Sequence, residues 1–80
     1  MERGVIEQAY CFFHQKLRVY EFSSSKTQRD DIEYAISSYV DGMSPELYSL
    51  LSGGDSCYLR SHPSFEGDLR DAVCRMEAML

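Results

Sequence analysis

The sequence is poor in residues that interrupt helices and has none of the patterns that build sheets. It holds two prolines, Pro45 and Pro63, and five glycines in 80 residues. There is no sustained alternation of apolar and polar residues and no hairpin dipeptide, which argues against strands. No apolar run is long enough to span a bilayer. The opening stretch "MERGVIEQAY" carries charge and no continuous apolar segment, so no signal peptide is expected. Basic residues are also scarce. Eight lysines and arginines stand against thirteen acids, for a net charge of −5. They are scattered from Arg3 to Arg75 without forming a run. A polyanion needs a clustered cationic surface, so nucleic acid is not the expected partner. The Gly-rich "SGGDS" lacks the lysine and the following helix of a phosphate-cradling loop. "RDDIEYAI" lacks the alternating ligands and central glycine of a calcium loop.

What is present is helical periodicity. From about Glu2 to Phe22, the residues Ile6, Ala9 or Tyr10, Phe13, Leu17 and Tyr20 recur at three- and four-residue spacing. A second line, Val5, Phe12 and Val19, repeats every seven residues beside the first. The apolar face is therefore wide enough to touch more than one element. The stretch "SSSKTQ" breaks the pattern. Ser25-x-x-Gln28 and Thr27-x-x-Asp30 both resemble capping boxes for the next helix. Asp30, Asp31 and Glu33 would then sit in its early turns, where the helix dipole favours acids. Ile32, Ala35, Ile36, Tyr39, Val40 and Met43 form its stripe, with Gly42 as the expected stop. Ser44 and Pro45 fit the N-cap and first position of a short helix ended by Gly53-Gly54. "DSCYLRSHP" reads as a loop or a single turn, pinned by Tyr58 and Leu59. A last helix runs from Pro63 or Ser64, with Phe65, Leu69, Ala72, Val73, Met76 and Leu80 on one face. The expected fold is all-α: one domain over residues 1–80, a small four-helix bundle of three longer helices and a short bridging one. Helix two should pack antiparallel to helix one.

"AYCFFHQK" raises the question of chemistry. Cys11 and His14 lie three apart on a helix, and Cys57 and His62 five apart nearer the C-terminus. Two thiolates and two imidazoles would complete a tetrahedral zinc site, giving a zinc-stabilised regulatory or nucleic-acid-associated module. No C-x2-C knuckle supports it. A thiol enzyme would need a cysteine with a lowered pKa, and Cys57 beside Arg60 is better placed than Cys11 beside Phe12 and Phe13. No orienting Asn or Asp accompanies either one in a known pattern. The plainer reading makes Cys11 and Cys74 small buried hydrophobes and His14 the edge of the apolar face.

Aromatic residues point elsewhere. Six tyrosines and four phenylalanines are many for this length, and aromatics are enriched at interface cores. We therefore expect an intracellular, non-enzymatic protein-interaction or regulatory adaptor module. Its partner would be another protein or a second copy, contacted through Val5, Phe12, Val19, Tyr34 and Tyr48. No cofactor, small-molecule substrate or membrane contact is expected. The serines of "SSSKTQ" are candidate phosphorylation sites beside their capping role.

Overall fold

The computed structural model describes residues 2–80. They form four α-helices: α1 (Arg3–Phe22), α2 (Lys26–Gly42), α3 (Pro45–Ser52) and α4 (Phe65–Met79). A single 3₁₀ turn, His62–Ser64, leads into α4. Ser25 caps α2, its side chain accepting from the Gln28 backbone N–H at 3.3 Å. Gln28 does not close the box by bonding Ser25. The Ser23 hydroxyl donates to Gln28 Oε1 at 2.7 Å and accepts from the Ser25 N–H at 3.2 Å, relaying the two. Because α2 starts at Lys26, Asp30 and Asp31 fall beyond its first turn. The dipole fades within that turn, so Asp30 instead pairs with Lys26 at 3.2 Å.

Helix α2 stops at Gly42 as expected, but without a left-handed glycine cap. Gly42 is the last helical residue and keeps ordinary helical geometry, and Met43 follows at φ −80°, ψ 167°. Proline disfavours helical geometry in the residue before it. Ser44 is accordingly extended at ψ 123°, and its hydroxyl accepts from the Leu47 N–H at 3.4 Å. The Ser44 cap and Pro45 start α3 and keep α2 from running on into it. Gly53 does take the left-handed cap, with φ 63°, which glycine adopts without steric penalty.

Three pairings give the packing of α1 on α2. Phe12 stacks on Tyr39 with ring centroids 4.6 Å apart, the Tyr20 hydroxyl donates to Glu33 at 3.3 Å, and Ser23 meets Gln28. Residue numbers rise on one helix as they fall on the other, so the pair is antiparallel. Helix α4 also runs antiparallel to α1. Arg3 donates to the Leu80 carbonyl at 3.0 Å near one end, and Glu21 pairs with Arg70 at 3.1 Å near the other. Between them lies one core, in which Phe13, Phe65, Ile36, Leu47, Leu69 and Met76 are fully buried. The expected stripes hold for Ala9, Phe13, Leu17 and Tyr20 on α1 and for Phe65 to Met76 on α4. Leu80 lies beyond α4 and is exposed.

The segment between α3 and α4 is a series of turns held by Tyr58 and Leu59, both buried. The Tyr58 hydroxyl lies 3.0 Å from both the Asp68 carbonyl and the Asp71 carboxylate, and donates to them. Its own carbonyl accepts from the Tyr48 hydroxyl at 2.8 Å. Leu59 sits at φ 62°, a left-handed conformation costing a side chain about 1–2 kcal/mol. Burial of that side chain, worth about 1.5–3 kcal/mol, and the Leu59 N–H donated to Asp68 at 3.0 Å hold it there. Burial first, then the Asp71 hydrogen bond, raise the Tyr58 hydroxyl pKa above its ordinary 10.0.

Two outcomes follow. Phe13→Ala should lower stability by about 3–5 kcal/mol, measured by urea denaturation. That is a large share of the 5–15 kcal/mol typical of whole domains. A raised tyrosine pKa means that the folded state holds its proton more tightly than the unfolded chain. The Tyr58 contribution is therefore complete below pH ~10 and lost as pH rises further. Tyr58→Phe should cost about 1 kcal/mol at neutral pH and flatten the alkaline fall in melting temperature.

Candidate functional site

The four residues of the possible zinc site do not converge. Among the described residues, no group of three or more His, Cys, Asp and Glu side chains is placed to hold a metal ion. His14 stacks on Tyr10 with ring centroids 5.5 Å apart. His62 Nδ1 lies 2.8 Å from Glu33, which ties the 3₁₀ turn to α2. Cys57 is exposed, and its backbone N–H donates to Asp55 at 2.9 Å. Among the described residues, no Cys–His hydrogen bond forms.

Cys11 and Cys74 correct an expectation, since both are exposed. Each lies two residues from a core position: Cys11 between Ala9 and Phe13, Cys74 between Ala72 and Met76. Two residues are more than half a helical turn, so each thiol points away from the core.

A polar groove of about 630 Å3 lies where the C-terminal end of α1 meets the N-terminal ends of α2 and α4. Its polar groups are already matched within the chain. Lys26 pairs with Asp30, His62 with Glu33, and the Arg29 side chain donates to the Ser23 carbonyl at 3.1 Å. Arg29 also lies over the Tyr20 ring, 4.8 Å from its centroid. Burial and then the Glu33 charge raise the Tyr20 pKa. The groove joins three helix ends, and Tyr20 is part of the core that closes it.

The α1–α2 face is different. Val5, Phe12 and Val19 run along the α2 side of α1, and the parallel line Gln8, Gln15 and Phe22 lies outside it. On α2 the adjoining residues are Gln28, Asp31, Ala35, Ser38 and Gly42. The two lines meet in two grooves. One, about 330 Å3, is lined by Val5, Gln8, Ala9, Ser38, Tyr39, Gly42, Met43, Ser44 and Leu47. The other, about 380 Å3, is lined by Arg18, Val19, Phe22, Ser23 and Gln28. The Phe12–Tyr39 stack divides them, with Lys16 Nζ 5.4 Å from the Phe12 centroid.

Sequence reasoning named Val5, Phe12, Val19, Tyr34 and Tyr48 as contact residues. Val5 and Val19 are 37% and 39% exposed, and Tyr34, next to Asp31 and Ser38 on α2, is 76% exposed. Phe12 is half-buried on Tyr39. Tyr48 lies apart, on α3, its hydroxyl held by the Tyr58 carbonyl and Arg60 near its ring. Phe22, outside that set, is at 85% the most exposed large apolar side chain among the described residues. Its signal in the sequence was the seven-residue step from Gln15, which puts it on the outer line of α1 at the last helical position.

All three cysteines should react with a thiol reagent in the folded protein as fast as in the denatured chain, within a fewfold. A thiol protected in the native state would contradict its placement. No family model, curated protein or solved structure matches the chain.

Proposed function

We propose that the chain is a non-enzymatic protein-interaction module, of the regulatory or adaptor kind, that binds another protein or a second copy of itself through its α1–α2 face. The observation that carries this reading is composition at exposed positions. Along the two α1 lines and the adjoining α2 positions, Asp31 is the one charged residue, with Lys16 and Arg18 alongside. Charge depletion with aromatic enrichment distinguishes interface cores from ordinary surface. Val5, Val19, Phe22 and Tyr34 supply the apolar and aromatic area. Elsewhere the surface carries ion pairs, such as Arg70 with Glu21 and Glu66, and Arg75 with Asp71.

The reading places the module inside the cell. Three exposed thiols with no disulfide between them suit a reducing compartment. No helix among the described residues is long and apolar enough to cross a membrane.

The test compares the wild-type chain with the double variant Val19→Glu, Phe22→Glu and a control, Cys74→Glu on the outer side of α4. Both α1 positions are exposed, so melting temperatures should stay within the shift expected of about 0.5 kcal/mol per surface change. Affinity capture from the native cell, read by mass spectrometry, should lose its partners in the double variant and keep them in the control. Equal capture by all three chains would overturn the reading.

A further inference from the structure

We infer that the occupant of the α1–α2 face is a second copy of this chain, packed by two-fold symmetry with α1 of each copy against α2 of the other. This rests on the reading of that face as a contact surface. The shape of the face is self-complementary. Beside the α1–α2 boundary α1 carries the half-buried Phe12 and the exposed Val19, with Phe22 at its end level with Gln28 and Asp31, whereas α2 carries Ala35, Ser38 and Gly42, with Tyr34 at the outer edge of that strip. A Cβ built on Gly42 meets nothing within 4 Å. One helix thus offers a ridge and its neighbour a shallow trough. Ridges seat in grooves when helices pack closely. A two-fold axis lying in the interface, parallel to the helices, sets the ridge of each copy over the trough of the other.

The charges of the face are self-complementary too. The antiparallel pairing of Tyr20 with Glu33 and Ser23 with Gln28 places Asp31 level with the last turn of α1, about one turn from Arg18. Among the described residues, Arg18, Lys16 and Asp31 form no ion pair. Every other lysine and arginine either forms an ion pair or, like Arg29, is held by a backbone carbonyl and a ring. Under that axis each residue keeps its level along the helices. Arg18 of one copy then faces Asp31 of the other, and the pair occurs twice. Tyr34, one turn from Asp31, borders the same contact. A chain of net charge −5 meets its copy where acids are fewest, which limits repulsion between like molecules.

The test is sedimentation equilibrium over a concentration series, in reducing buffer so that the exposed cysteines do not cross-link. The expected species is a dimer in concentration-dependent exchange with monomer. Val19→Glu should weaken it by about a hundredfold or more, through a charge buried without a partner. Arg18→Glu should weaken it by about five- to tenfold, with two symmetric pairs lost together. Adding Asp31→Arg to Arg18→Glu should restore most of that loss, which a merely structural role for either residue would not do. A monomer at every concentration overturns the inference, as does a dimer indifferent to Val19→Glu or a charge swap that fails to restore association. The partner-capture comparison separates the two readings. A monomer whose captured partners still vanish in the Val19→Glu, Phe22→Glu chain leaves the interaction reading standing and removes only the second copy.

Discussion

Phe13 governs this structure. It is fully buried in the middle of α1 and meets Tyr39 edge-on at 5.4 Å. Around it, Ala9, Leu17 and Tyr20 extend the buried line towards both ends of the helix. Once that line faces inward, every other position on α1 is determined by the 3.6-residue turn. Cys11 is turned outward, Tyr10 and His14 come to lie beside one another, and Val5, Phe12 and Val19 fall along the α2 side. The placement of the candidate surface is thus a consequence of core packing.

The same constraint explains why the cysteines and histidines do not assemble a site. A helix can bring Cys11 and His14 near one another, but both lie off the inward line, while Cys57 sits in the turns between α3 and α4. The residues that tie the α3–α4 segment down are Tyr58 and Leu59. Tyr58 is tethered to α4 and receives Tyr48 from α3, and Leu59 accepts a strained backbone to stay buried. That arrangement turns Cys57 to solvent and leaves His62 free to bind Glu33. Tyr48, a candidate contact residue by composition, is drawn into this internal network by the same tethers.

Charge is distributed unevenly over the surface, and the unevenness has a structural origin. Pairs such as Arg70 with Glu21 bridge α1 and α4 across an interface already closed by the core. The α1–α2 boundary is bridged by the Phe12–Tyr39 stack instead, with grooves above and below it. Aromatic stacking needs no charged neighbours, so Gln, Ser, Ala and Gly fill the flanks. The result is a strip with the composition of an interface, on a molecule that is otherwise strongly acidic.

Local order was legible in the residues themselves. Three- and four-residue spacing, the Ser25 cap and the Ser44–Pro45 start act within a few residues, so the helices, their inward stripes and the all-α fold could be read directly. Gly42 does end α2, as expected, but as its last helical residue and not as a left-handed cap; the chain turns extended at Met43. Other features were settled only when the helices met. Cys11 and Cys74 look like packing residues by type, and only the rotation of each helix shows them exposed. Phe22 and Tyr48 are both aromatic residues near a helix edge. One stands free because no element reaches the end of α1 on that side, and the other is held because Tyr58 folds back beneath it. Sequence determines which faces a helix has. The partners those faces find depend on contacts between residues far apart in the chain, and these emerge only in the packed molecule.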